Sequence, residues 1–389
     1  MTTLIFDAEA TGAQRNKANP FDDRNVMCNI GFRNYDTKET EIFKIEYDEE
    51  PYGDNLRKIQ NLLDSCTTLV GFNAKYDLHW LWRYNLKVPK NCLVYDTQVA
   101  YYVAVHQKVK YPSLDGVAEE FGLERKLDVI KTEYWDKGLD TNDVPYPLLS
   151  EYLAQDLVVT EQVYEKLLSL DLSVNMRKLI KLEHLDLVVL ADLEQNGLKI
   201  NVQKCKRKSE EIDRTLVEID STLVNLAGYD WFNPSSGDHL SAFLYGGSVG
   251  VVEKVPFIFQ YKDGRTAEKF RNEKVEYSFK GYFKPLDGTE LAKAGFYSTD
   301  KSTLVTLSEK ASGEQQDIID LLLLRSKLDK KKGTYYDGYR KRLEEFNWKD
   351  DMLHSNFNQC VTETGRLSST KPNVQNIDGE VKEVIITRY

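Results

Sequence analysis

Little in this 389-residue chain looks designed to hold it together covalently. Its five cysteines (Cys28, Cys66, Cys92, Cys205, Cys360) are scattered, odd in number and never in C-x-x-C spacing. That argues against both a disulfide framework and a zinc site. Long apolar runs are missing as well: none approaches the roughly 18 residues that a bilayer span requires, so no membrane partner is expected. The chain passes from Met-Thr-Thr straight into an apolar strand, with no basic region or cleavage site, and a cytoplasmic location is the expectation. Positive charge is short: 52 Lys+Arg stand against 62 Asp+Glu, a net of −10. The deficit is concentrated in residues 1–168, while residues 301–389 are nearly balanced and carry local basic clusters. A polyanionic partner is therefore not excluded by the total.

What is present begins at Leu4-Ile5-Phe6-Asp7-Ala8-Glu9-Ala10-Thr11-Gly12. Strand residues alternate faces, so Asp7 and Glu9 project from one side. Such a pair is either a solvated acidic edge or a place where a divalent cation relieves the repulsion. Val26–Tyr35 and Glu41–Tyr47 read as two further strands of an antiparallel start to a mixed sheet. Asn55–Ser65 has helical spacing, and Leu69-Val70-Gly71-Phe72 is a short buried strand. Asp77 follows at a strand-to-helix junction, where α/β sheets place ligands. Within a helix over Tyr146–Leu168, Tyr152 and Asp156 lie four apart on one face. Asp156 sits there among Val159, Thr160 and Val163, an odd setting for a carboxylate unless a cation meets it.

In order and context, the segments FDAEATG, GFNAKYD and YLAQD resemble the proofreading 3′→5′ exonuclease domain of family A (polymerase-I-like) DNA polymerases, in the D-E-D-D-tyrosine group. The resemblance implies an α/β fold: a ribonuclease-H-like mixed-sheet domain over residues 1–170. It also implies two Mg²⁺ (or Mn²⁺) ions held by Asp7, Glu9, Asp77 and Asp156, with Tyr152 orienting the attacking water. Asn73 and Lys75 are expected near a substrate phosphate, Asp96 at a helix N-cap, and His79 and Trp80 in packing.

Beyond residue 170, a helix over Asn175–Gln195 is expected to bury a stripe of Leu179, Leu182, Leu185, Val189 and Leu193, and to end at Asn196-Gly197. A second helix runs to about Leu226. These linker helices and the start of the polymerase region occupy 171–245. Residues 246–300 read as a β-rich insertion, with a hairpin turn at Lys262-Asp263-Gly264-Arg265. Residues 301–350 correspond to mainly helical thumb segments, with one helix over 318–343. There Lys330 and Lys331 interleave with Tyr335, Tyr336 and Tyr339 and suit backbone contacts to duplex DNA. Residues 351–389 carry V-T-E-T-G-R-L-S-S and P-N-V-Q-N-I, which resemble the first, N-terminal part of the family A palm. In that part Arg366, Asn373, Gln375 and Asn376 would face the primer-template minor groove.

The family's synthesis site needs an Asp in a D-Y-S-x-x-E strand, a Lys-bearing fingers helix and a second acidic hairpin such as H-D-E. None occurs in these 389 residues, and Val384–Tyr389 resembles the strand that would enter the first of them. The expectation is a split polymerase. This chain would supply proofreading at a single-stranded 3′ end and grip on the primer-template, and a second polypeptide would supply palm and fingers. A stand-alone exonuclease and a non-catalytic DNA-binding or assembly subunit are the alternatives. The insertion and the split suggest a phage-encoded protein acting in a bacterial host.

Overall fold

The computed structural model describes residues 2–12, 18–47, 52–123 and 129–387. The chain divides into two compact units, residues 1–202 with 339–389, and residues 203–338.

The first unit is built on a five-stranded sheet of order β3-β2-β1-β4-β5. The strands are β1 (Thr2–Ala10), β2 (Met27–Asn34), β3 (Thr40–Lys44), β4 (Cys66–Gly71) and β5 (Leu93–Asp96). β1, β2 and β3 pair antiparallel, and β4 and β5 add in parallel, which gives the expected mixed sheet. The parallel strands follow helical crossovers, α1 (Gly53–Ser65) before β4 and α2 (Ala74–Arg83) before β5. β1 is central: Leu4, Ile5 and Phe6 are all but fully buried, and that rigid strand is what carries Asp7 and Glu9.

After α3 (Thr97–Ala104), α4 (Leu114–Glu120) and α5 (Val129–Glu133), the long α6 (Tyr146–Ser169) lies across β1 and β2. Next comes α7 (Val174–Asn196), and here the expected stripe is corrected. Leu182, Leu185, Val189 and Leu193 are 50–59% exposed and Leu179 37%. The buried face is instead Ile180, His184, Leu187, Leu190, Ala191 and Glu194. The helix is apolar on two sides, so periodicity offers two stripes, and the side that packs contains a histidine and a glutamate. Gly197 closes α7 with φ +63. A Cβ there would come within 2.9 Å of the Leu353 carbonyl oxygen, so only glycine fits.

After β6 (Leu198–Lys199), the second unit comprises most of α8 (Val202–Ala227), α9 (Gly237–Tyr245), the hairpin β7 (Gly247–Gln260) with β8 (Thr266–Phe279), α10 (Lys301–Ser308) and α11 (Glu314–Lys331). Leu223, Phe243, Leu244, Ile318 and Ile319 are among its core. The hairpin pairs in register from Gly247↔Phe279 to Gln260↔Thr266, as the sequence indicates. The single helix expected over 318–343 is interrupted: α11 passes through a π-helical segment, Lys332–Tyr336, before α12 (Asp337–Glu345).

Three short strands return to the first unit. β9 (Met352–Leu353) pairs with β6, and β10 (Asn356–Asn358) pairs with β11 (Ser368–Thr370). The expected strand from Val384 does not form among the described residues, and Arg388 and Tyr389 lie outside them. Val381–Val384 is a 3₁₀ turn. It is followed by a single bridge between Ile385 and Ile200, flanked by hydrogen bonds from Asn201 N to the Val384 oxygen and from Ile386 N to the Lys199 oxygen.

Candidate functional site

Asp96 sets the start of two helices. Its carboxylate caps α3 by accepting from the amides of Gln98 (2.8 Å) and Val99 (3.3 Å). It also accepts from the amides of Asn73 (3.2 Å) and Ala74 (2.8 Å) at the head of α2. Burial pushes its pKa up to about 6 against the pull of these donors. The capping role is legible in the sequence; the second helix is not. Asn73 adopts the left-handed conformation, φ 59 and ψ 42, which Asn tolerates better than most side chains. α2 is thereby aimed from the end of β4.

On the sheet, Asp7 and Glu9 share one face of β1, and Asp156 reaches them from α6. One oxygen from each of the three lies within 4.8 Å of the others. Asp156 is 1% exposed. The approach of α6 depends on a residue with no sequence signal. Gly31 on β2 stands directly opposite Asp7, and a Cβ on it would fall 2.6 Å from Leu157 Cδ1 and 3.2 Å from Leu153 Cγ. Without a side chain at Gly31, the α6 turn that bears Asp156 settles close to β2. No local pattern marks this, because the constraint comes from the opposing helix.

Asp77, in the first turn of α2, is 1% exposed and accepts from the Ala8 amide at 3.2 Å. Burial raises its pKa well above the usual carboxylate range, and the charges of Asp7 and Glu9 raise it further. The structure thus gathers Asp7, Glu9 and Asp156, with Asp77 within the electrostatic field of Asp7 and Glu9. Tyr152 lies one turn before Asp156, 7% exposed, in a cluster with Cys28, Ile130, Val144 and Leu149. Asp140, which no motif singles out, holds the end of the Asp7–Glu9 segment by accepting from the Gly12 amide at 2.7 Å. The gathered donors are all carboxylate oxygens, the hard set that suits Mg²⁺ or Mn²⁺ rather than a soft metal.

The remaining candidates separate clearly. Lys75 is an internal tie: its ammonium donates to Glu194 Oε1 and to the Phe357 carbonyl. Lys331, expected with Lys330 at the backbone of duplex DNA, is 5% exposed, whereas Lys330 is exposed. Two cations of the neighbouring basic run are neutralised within their own unit, Arg325 by Asp220 (2.5 Å) and Lys332 by Asp213 (3.0 Å). Tyr336 and Tyr339 are core residues, at 2% and 0% exposure, and do not interleave with surface cations as expected. In the last segment Arg366, Gln375 and Asn376 are exposed. Asn373 organises their loop, its Oδ1 accepting from Ser369 Oγ and from the amides of Gln375 (3.1 Å) and Asn376 (3.3 Å).

Comparison with known sequences accounts for both ends of the chain. The 3′-5′ exonuclease family matches residues 3–170, and DNA polymerase family A matches residues 278–388. It is 26% identical over 294 residues to the DNA polymerase I of Bacillus subtilis, a match that covers 74% of this chain and 27% of the relative. With the DNA polymerase I of a Synechocystis strain it shares 28% over 311 residues, covering 78% and 26%. The chain thus spans about a quarter of these relatives. Its fold resembles the POL domain of Pol1 from M. smegmatis, a structure in complex with DNA primer-template and dNTP. That match has a TM-score of 0.64 at 16% identity and covers 98% of this chain and 54% of the other. The three carboxylates, Asp77 and Tyr152 all fall inside the exonuclease match, and Arg366, Asn373, Gln375 and Asn376 fall inside the polymerase match.

Proposed function

We propose that this family A polymerase segment is the proofreading 3′→5′ exonuclease portion of a divided DNA polymerase, acting on a single-stranded primer 3′ end. The observation that carries the reading is the convergence of Asp7, Glu9 and Asp156 to within 4.8 Å inside the exonuclease-matched region. Charged carboxylates this close repel one another, and divalent cations relieve that repulsion. When bound, a pair of Mg²⁺ or Mn²⁺ ions supplies an activated water and stabilises the leaving 3′-oxygen. Asp7, Glu9 and Asp156 would hold the ions, with Asp77 completing the set. Tyr152, one helical turn from Asp156, would orient the water through its hydroxyl. Arg366, Gln375 and Asn376, exposed on one polar segment, would meet the primer-template minor groove, and Lys330 its backbone.

The second part of the proposal is a polypeptide that supplies the synthesis site. The row Leu182, Leu185, Val189 and Leu193, each at least half exposed on α7, supports it, since contiguous apolar surface of this kind marks interaction sites.

The test is release of 3′ nucleotides from a labelled single strand and a mismatched primer-template. Release is expected with Mg²⁺, none with a chelator, and none from an Asp7→Ala, Glu9→Ala double variant. Metal-independent release, or full activity in the double variant, would overturn the nuclease reading. For the divided enzyme, a chain carrying the D-Y-S-x-x-E palm should co-purify with this one and confer dNTP incorporation. Failure of such a chain to associate would remove that half of the proposal.

A further inference from the structure

Three strands of the sheet place Lys44, Asn29 and Glu9 in one row. Glu9 on β1 stands directly opposite Asn29 on β2, and Asn29 stands directly opposite Lys44 on β3. Opposed residues of neighbouring strands project from the same face, with Cβ atoms about 4.5–5.5 Å apart. That face is the one that carries the acids. Two residues further along β2, Gly31 opposes Asp7 and lies under Leu153 and Leu157 of α6. The pairing slips immediately beyond the row: Ala10 opposes Met27 and skips Cys28. This is a bulge of the kind that re-aims a side chain beside a functional site.

The middle member of the row is unexpected. Asn29 is 0% exposed, and neither Oδ1 nor Nδ2 of its amide has a hydrogen-bond partner among the described residues. Its neighbours on β2, Met27, Cys28, Ile30 and Phe32, are apolar and buried, and an apolar side chain at position 29 would leave no polar atom to satisfy. A buried amide with both ends unused calls for an explanation. The charges at the two ends of the row supply one. With an ammonium on one side and a carboxylate on the other, the amide is lowest in energy with Oδ1 toward Lys44 and Nδ2 toward Glu9. The Lys44 ammonium lies on this same side of the sheet, 5.1 Å from the ring centroid of Tyr146 at the start of α6.

We infer that Asn29 is a positioning residue for the acidic site: its Nδ2–H donates to the Glu9 carboxylate and fixes the orientation in which Glu9 holds a divalent ion with Asp7 and Asp156. A carboxylate that ligates a metal through one oxygen leaves the other to accept such a bond, and neighbours that fill this role set metal affinity without touching the ion. A turn of the Glu9 side chain is enough to make the bond, because the opposed backbones already set the two groups side by side. The inference rests on the nuclease reading for the divalent ion, and on the row alone for the choice of Asn29.

The test measures Mg²⁺ affinity of the full chain by calorimetry, and its urea unfolding with a chelator present. Asn29→Leu keeps the branched shape and removes the amide. Its Mg²⁺ affinity should fall about tenfold or more, while its unfolding midpoint in chelator stays level or rises, because a buried unpaired amide is gone. Saturating Mg²⁺ should then restore kcat for release of 3′ nucleotides, with KM for the strand unchanged. A residue that only packs would show the reverse, a lower midpoint and an unchanged affinity, and that result overturns the inference. Should Asn29→Leu fail to fold, Asn29→Ala, which cannot overpack, must show the same loss of affinity, and unchanged affinity there overturns it equally. Wild-type protein that binds no Mg²⁺ would overturn the nuclease reading and this inference together. Wild type and variant that bind Mg²⁺ equally well would remove Asn29 and leave the nuclease reading standing.

Discussion

Helix α2 is flanked by two acidic centres that treat negative charge in opposite ways. On one side Asp77 looks toward β1, where Asp7, Glu9 and Asp156 bring carboxylate oxygens together. Two residues to either side, Lys75 and His79 share the other face of the helix and clasp Glu194. Glu194 Oε1 accepts from Lys75 and from the Phe357 amide (2.6 Å), and Oε2 meets His79 (2.8 Å). Burial alone would raise the Glu194 pKa, but His79 and Lys75 bring it below the ordinary value. Asp77, equally buried, goes well up. Burial is common to both, so the neighbours decide. An acid held by a lysine, a histidine and an amide of its own chain is a structural tie, and acids gathered with one another form a place for cations from solution.

The largest effect should therefore come from the tied acid. Glu194→Ala leaves the Lys75 ammonium buried beside a carbonyl and is expected to cost about 3–5 kcal/mol of unfolding free energy, read from the midpoint of a urea transition. Adding Lys75→Met should recover much of the loss. A cost under about 1 kcal/mol would mean that the two faces of α2 do not differ as described. A second buried base on α7 extends the comparison. His184 is 1% exposed, with Nε2 on the Asp96 carbonyl at 3.0 Å, and burial depresses its pKa to about 4. Because the folded pKa lies below the unfolded one, the stability carried by the neutral ring is present above pH 6.5 and is lost as pH falls through about 4. Its size is about 3 kcal/mol. The slope of stability between pH 6.5 and 4 should flatten in His184→Gln.

Local periodicity makes much of this region legible in the sequence alone. The two-residue spacing of Asp7 and Glu9, the Asp77 junction and the four-residue spacing of Tyr152 and Asp156 each follow from the period of a single element. The features that escape it belong to pairs of elements. α7 presents two apolar faces, and its packing on α2, α3 and β5 decides that the one with His184 and Glu194 goes inward. The acid that binds Lys75 lies 119 residues away, so a lysine in a G-F-N-A-K-Y-D phrase looks solvent-facing. The burial of Tyr336 likewise depends on the π segment, which shifts the helical phase within the basic run.

Gly31 tests how far the gathering of acids depends on that kind of fit. A methyl at this position meets Leu157 at 2.6 Å, and overpacking of that order costs about 1–3 kcal/mol. The more telling readout is metal affinity. If the close approach of α6 is what brings Asp156 to Asp7 and Glu9, Gly31→Ala should weaken Mg²⁺ binding more than it lowers the melting temperature of the metal-free protein. Equal losses would make Gly31 a packing residue and nothing more.

The smallest effect carries the opposite sign and bears most directly on the comparison. Asp7→Asn removes one of the charges that raise the Asp77 pKa, so the metal-free protein should become more stable by about 1 kcal/mol at neutral pH. Mg²⁺ should raise the melting temperature of the wild type, because a ligand that binds only the folded state stabilises it, and should move the variant little. Removing an acid would then stabilise one side of α2 and destabilise the other. Destabilisation by Asp7→Asn in the absence of metal would show that the first centre, too, is a structural tie.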